Sequence, residues 1–430
     1  MAYFCLPLKV MEMAMSVSIG MSIKCALAVC LTGSAAMAAD WPQFLGLNRN
    51  GISAETGLVS EWPADGPKVV WRTPLGVSMS SVAVSDGLAF TLFQDEQKLS
   101  IVALNAKDGK QIWRTPFAAA YENAMGNGPR ATPAVADGRA FAFTGEGILA
   151  AFSVKDGKEL WTVDVPKLLK GTASEYGMSC SPLVIDQQVI VHTGSESQAV
   201  AAFDVQTGKV LWKSGRGKAG YSSPVLLTLA GKIQIVSLTA TGAFGIDTDG
   251  TVLWDYSFPT EYDCNTACPV QIDDNSVLIS AGENHGSAIL QIAASGKTLA
   301  ATEVWSSLGK DSQLRAEWQT PVIHDGHLYG LDNSGSAGPI TNLVCIRLKD
   351  QKTMWQKPRF GKSNLILADS KLFLTTMNGE VIIVEASPTA FHELGRASVM
   401  ETTRQAPSLA NGFLFVRDDH NVICIDVRGK

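Results

Sequence analysis

Ser181-Pro182-Leu183-Val184-Ile185, Val189-Ile190-Val191-His192, Ala201-Ala202-Phe203-Asp204-Val205 and Lys209-Val210-Leu211-Trp212 are four short apolar runs that follow one another along the chain, the last preceded by Thr207-Gly208. They are rich in β-branched and aromatic residues and are separated by turn residues. No amphipathic helix pattern runs through them. The segment reads as a four-stranded antiparallel meander.

The same unit recurs along the chain. Its closing tryptophans are Trp71, Trp113, Trp161, Trp212, Trp254, Trp305 and Trp355, spaced by 42, 48, 51, 42, 51 and 50 residues. Its opening positions are Thr132-Pro133, Ser181-Pro182, Ser223-Pro224, Cys268-Pro269, Thr320-Pro321 and Ala406-Pro407, with Ser80-Ser81 and Asn364-Leu365 in the same slot. The first hairpin is marked by Asp86-Gly87, Asp137-Gly138, Ala230-Gly231, Asp325-Gly326 and Asn411-Gly412, pairs suited to turns with positive φ. Four strands at this period fit a propeller blade, whereas solenoid repeats of that length are helical.

Eight openings are present, but the last copy ends at Val427-Arg428 without a fourth strand. Lys68-Val69-Val70-Trp71-Arg72 has the outer-strand pattern with no opening strands before it. The expected fold is therefore all-β: an eight-bladed β-propeller of four-stranded antiparallel blades, closed by an N-terminal strand that completes the last blade. Closure removes the free edges that an open sheet leaves. The tryptophans are expected to pack between neighbouring blades.

Residues 1–39 read as a signal peptide and 40–430 as one propeller domain. Lys24 precedes the apolar run Cys25–Leu31, and Ala36-Met37-Ala38-Ala39 offers an A-x-A cleavage site. A buried N-terminal helix is the alternative, and Met21 is a second candidate start. Leu27-Ala28-Val29-Cys30 has the outline of a lipoprotein signal, with bulky Val29 against it. Five cysteines follow residue 39: Cys180, Cys264, Cys268, Cys345 and Cys424. Cys345 and Cys424 read as strand-core residues, and Cys264 and Cys268 as a candidate local disulfide. A net charge of −6 argues against a nucleic-acid partner. The expected location is periplasmic or secreted, as a monomer not integral to the membrane.

Ala202 to Trp212 matches the A-x-D-x-x-T-G-x-x-x-W tryptophan-docking motif of pyrroloquinoline-quinone-type (PQQ) propeller repeats, and Ala103 to Trp113 resembles it with Asn105 in place of Asp. Trp41-Pro42-Gln43-Phe44-Leu45-Gly46, with Asn48-Arg49-Asn50-Gly51, is similar to the start of secreted PQQ-like repeat proteins. The resemblance covers residues 41 to 430. It implies one of two activities: a quinoprotein dehydrogenase with PQQ and calcium in the central funnel, or a non-enzymatic assembly factor of the BamB type. The dehydrogenase branch often carries an adjacent Cys-Cys disulfide at the cofactor. This chain has no adjacent cysteines, and its inter-blade loops are short.

Loops at the funnel supply the candidate ligand-binding residues: Arg130, Tyr221, Arg315, Glu317, Trp318 and Arg404. Trp318 breaks the tryptophan register and reads as a stacking platform or as a packing residue under a loop. The three arginines suit a bidentate clamp on a carboxylate or phosphate, or inter-blade salt bridges. Glu283, Asn284 and Asp332 carry oxygens for calcium but follow no calcium-loop spacing. Gly215-Arg216-Gly217-Lys218-Ala219-Gly220 matches G-x-G-x-x-G but leads into a strand rather than a helix. Gly361-Lys362-Ser363 resembles the end of a P-loop without its first glycine. No catalytic set, metal-ligand set or carboxylate pair for glycoside hydrolysis is assigned. The expected function is an exported, non-catalytic scaffold for a protein or glycan partner, with no cofactor. The alternative is a PQQ-dependent oxidoreductase.

Overall fold

The computed structural model describes residues 40–335 and 340–429, and the expected signal peptide lies outside them. Eight four-stranded antiparallel sheets form a ring of blades, seven of them simple meanders in chain order. Blades one to seven span 83–119, 134–164, 183–214, 225–257, 270–308, 322–357 and 363–398. Blade eight is built from Ser408–Ala410, Phe413–Arg417 and Asn421–Asp426, and its outer strand is Lys68–Pro74. Lys68 pairs with Asp426 and Pro74 with Asn421, so the expected closure is present.

Two contacts repeated from blade to blade explain the legible residues. The first is at the rim. The indole N–H of Trp71, Trp113, Trp161, Trp212 and Trp355 donates to a backbone carbonyl of the following blade, at Ala106, Val154, Val205, Thr248 and Ser387. The turn glycine of the following blade lies flat against the ring. Gly157 has φ +72°, and a methyl group there would sit 2.5 Å from Trp113. Only glycine meets both demands.

The second contact is at the centre. Ser81 N–H donates to Thr132 Oγ1, Thr132 N–H to Ser181 Oγ, and Ser181 N–H to Ser223 Oγ, at 2.9–3.1 Å. Cys268 N–H bonds Thr320 Oγ1 in the same way. The hydroxyls of Thr132, Ser181, Ser223 and Thr320 thus each accept an amide of the previous blade.

Three features depart from the expected pattern. Trp254 turns into its own blade and donates to Gln234, so it does not dock on blade five. There, strands Gly286–Ser295 and Thr298–Leu308 form a longer hairpin whose tip reaches back to Leu253 through Thr298 Oγ1. Blade seven has Gly395 in the tryptophan register, and Trp62 from the N-terminal linker packs across it. Cys264 and Cys268 form no disulfide: all five cysteines are free, and Cys268 is buried in the core of blades four and five while Cys264 stays half-buried in a loop.

Every blade also carries a β-bulge at the residue before the tryptophan register: Val70, Ile112, Leu160, Leu211, Leu253, Val304, Met354 and Leu394 are skipped by the ladder. Bulges disrupt edge pairing and increase twist.

The N-terminal segment 41–58 crosses the centre of the ring and touches every blade. Trp41 exchanges backbone hydrogen bonds with Val84, and Pro42 O accepts from Val135 N–H. Arg49 donates to the carbonyls of Ser181 and Pro182, and Leu45 joins the core of blades four and five. Gly51 lies against Val322 and bonds Leu367, while Glu55 accepts from the amides of Asn411 and Gly412. Arg49 is buried with no acidic partner among the described residues, and burial lowers its basicity.

Candidate functional site

Above this plug the loops leading into the innermost strands surround a cavity of about 400 Å³. It is lined by Ser81, Thr132 and Ser181 at the blade openings and by larger side chains from the loops, with Phe44 of the segment 41–58. Five of the six expected site residues line it: Arg130, Tyr221, Glu317, Trp318 and Arg404.

Arg315 does not. Its Nε and Nη2 bond the two oxygens of Asp332 at 2.7 Å each, and Nη1 donates to Lys310 O. Both side chains are buried. Its planar fork matches a carboxylate, and the carboxylate that fills it is internal. The expected ligand clamp is a structural ion pair.

The remaining residues differ in how far they are occupied. Arg130 donates to the carbonyls of Tyr176, Gly126 and Gly128 and lies over the Tyr121 ring at 4.5 Å. Burial lowers its basicity. Tyr221 stacks on Tyr176 with ring centres 5.8 Å apart, and its hydroxyl accepts from Tyr176 N–H. Burial pushes the Tyr221 phenol well above its ordinary range. Glu317 is held by Lys362 at 3.0 Å and by Asn333 Nδ2 at 2.8 Å. Burial raises its pKa and Lys362 opposes that rise.

Trp318 is the centre of a cationic cluster. Lys362 Nζ lies 4.2 Å from its ring centroid and the Arg404 guanidinium 5.6 Å. Arg404 also donates to Met125 O. Lys362 was not among the expected site residues, although it stands in the inter-blade loop before blade seven, the class of loop that supplied the others. Met79, Met125 and Tyr262 also line the cavity and carried no sequence signal.

The oxygens considered for calcium are not brought together. Asp332 is consumed by Arg315, and Asn284 Oδ1 accepts from Gly335 N–H. Among the described residues, no group of three or more His, Cys, Asp or Glu side chains is placed to hold a metal ion. A planar quinone has the Trp318 ring and nearby cations to meet, but the donor set for an accompanying calcium does not fit.

A family model described as "Outer membrane protein assembly factor BamB" matches residues 97–357. The protein of that description from Yersinia pestis is 23% identical over 368 residues, covering 81% of this chain and 86% of its own length. Among solved structures, quinohemoprotein alcohol dehydrogenase from Comamonas testosteroni superposes with a TM-score of 0.66 at 14% identity, covering 91% of this chain and 81% of that one. BamB from Moraxella catarrhalis gives 0.58 at 14% identity, covering 84% and 99%. At these identities the structural likeness speaks to the fold alone.

Proposed function

Because this chain belongs to the family described as outer membrane protein assembly factor BamB, we propose that it is a non-catalytic propeller scaffold that binds a protein partner on the periplasmic side of the cell envelope and serves outer-membrane protein assembly. The observation that carries the reading is the state of the funnel's charges. Glu317 is bound to Lys362 and Arg130 to three backbone carbonyls, and Arg315, outside the lining, is bound to Asp332. A general acid or base must reach a substrate proton in the right ionisation state, and these groups are held by the protein itself. What the walls still offer is methionine, tyrosine and tryptophan, side chains that grip an apolar group of a partner, together with the guanidinium of Arg404.

Purified protein should bind purified components of a β-barrel assembly machinery, or unfolded barrel polypeptides, saturably in interferometry. Binding to neither would refute the scaffold reading. Binding to cell-wall polysaccharide instead would move the partner to a glycan.

A second reading, a PQQ-dependent oxidoreductase, rests on Trp318 as a ring platform in the funnel. Adding PQQ with calcium and assaying dye-linked oxidation of alcohols and sugars separates the two. Tight binding with turnover would overturn the scaffold reading; no binding, with tryptophan fluorescence unchanged, would remove the oxidoreductase.

A further inference from the structure

The funnel's charges are sorted by wall. Arg130 and Arg404 come from the loops leading into blades two and eight, and both hold the same loop, through Gly126 O and Met125 O. Among the described residues, neither has a carboxylate within salt-bridge distance; Glu146 and Asp419 act on them only at longer range. Among the described residues the side chain of Arg404 makes a single hydrogen bond, to Met125 O, so most of its donor fork is open to the cavity it lines. The acids, Glu283 and Glu317, stand with blades five and six. There they add to burial in pushing the Cys264 thiol up to about 11.

The funnel also has an exit. A groove of about 730 Å³ shares Tyr221 and Tyr262 with it as common walls. The groove runs outward between the loops of blades three and four, past Thr172, Ser174 and Ser195. In a ring of eight, the loop between blades seven and eight that carries Arg404 lies across from this exit, while Arg130, between blades one and two, stands to one side and holds the Tyr176 carbonyl beside it. A cationic end, an aromatic waist and a polar way out form an oriented channel. A soluble planar carboxylate would use the first two features and leave the third idle.

We propose that the funnel binds the C-terminal end of a polypeptide: the α-carboxylate pairs with Arg404, an apolar or aromatic last side chain lies against Trp318 and Met125, and the chain leaves over Tyr221 and Tyr262 into the groove. This rests on the protein-binding reading above. It assigns Arg404 and Trp318 as recognition residues and Lys362 as the group that neutralises Glu317 beside them.

The test uses fluorescence anisotropy with a labelled octapeptide ending in phenylalanine, the same peptide amidated at its C-terminus, and 3-phenylpropionate as competitor. A charge-assisted pair favours the free acid over the amide by about ten- to a hundredfold. Arg404→Gln should abolish that preference and Arg404→Lys should restore part of it, with melting temperature checked for each variant. Ser195→Trp, which fills the groove, should weaken the peptide by about tenfold and leave 3-phenylpropionate unaffected.

Equal binding of acid and amide by the unaltered protein overturns the inference, whatever the variants do. So does an acid preference that survives Arg404→Gln. Equal affinity for the octapeptide and 3-phenylpropionate would reassign the site to a soluble carboxylate. If acid and amide bind alike while assembly components still bind, this inference falls and the scaffold stands. If neither peptides nor components bind, both fall.

Discussion

Truncating Trp71 to alanine tests whether the ring is closed by a true blade junction. Trp71 lies on the outer strand that comes from the N-terminal side, and it docks blade eight on blade one. Trp113 makes the ordinary junction between blades one and two. Both are 8% exposed. Both donate to a carbonyl of the next blade, at 3.0 and 2.8 Å, and both lie against a turn glycine whose added methyl would come within 2.6 Å of the ring. An indole buries about 150–250 Å², which at ~25 cal/mol per Å² corresponds to about 4–6 kcal/mol. Partial collapse of the cavity brings the expected loss to about 3–5 kcal/mol. That is a large part of a typical stability of about 5–15 kcal/mol. Trp71→Ala and Trp113→Ala should therefore lower the urea midpoint by similar amounts, with one cooperative transition. A Trp71→Ala protein within ~1 kcal/mol of the parent, beside a strongly destabilised Trp113→Ala, would refute closure by this strand.

Three further outcomes are expected. Gly157→Ala should cost at least about 2 kcal/mol, from left-handed backbone plus the clash with Trp113; Gly138→Ala, at φ +72° with nothing nearby, should cost only the backbone part, so equal losses in urea melts would contradict the docking geometry. Asp332→Ala leaves Arg315 buried and unpaired and should destabilise by about 3–5 kcal/mol, with much of the loss recovered in Arg315→Met/Asp332→Leu; a neutral single variant in thermal melts would show that the pair is dispensable. His192 is buried, and burial lowers its pKa from 6.5 to about 4. The unfolded chain then takes up a proton that the folded one refuses, so stability is full above pH 6.5, falls as pH drops towards 4 and levels off below. His192→Leu should remove this component from stability measured against pH, and an unchanged profile would argue against it.

The fold was legible because the contacts that hold the blades together are made by rare residues. A docking tryptophan needs a glycine on the next blade, and an opening serine or threonine accepts the neighbour's amide; both leave a mark at each period. Where the contact is made differently the mark fails. Trp254 has the right position but bonds Gln234 of its own blade, and blade five meets blade four through a longer hairpin instead. Gly395 occupies the tryptophan slot of blade seven, and the missing indole arrives from Trp62, some 330 residues away. The plug has no period at all, and its contacts with eight blades are each unique.

The site was legible only as a set of irregular loops. That was enough to bring Trp318, Arg404, Arg130, Tyr221 and Glu317 together. It did not distinguish Arg315 from Arg404, because the difference is whether a carboxylate on another strand reaches the guanidinium, and Asp332 does so for one of them. Lys362 was passed over because its local sequence pointed to phosphate binding, whereas its partners are a ring and an acid from the preceding inter-blade loop.

The closing strand has a consequence for the order in which the chain can fold. Lys68 and its ladder partner Asp426 are 358 residues apart. During synthesis the first outer strand is therefore available long before the three strands it completes exist. Blades one to seven can form in turn, but the seam waits for the last segment of the chain. Such a distant pairing is slow, because loop closure precedes the contacts that reward it. The circular architecture is thus a timing device: the ring stays open until Asn421–Asp426 has been made and can take up the waiting strand.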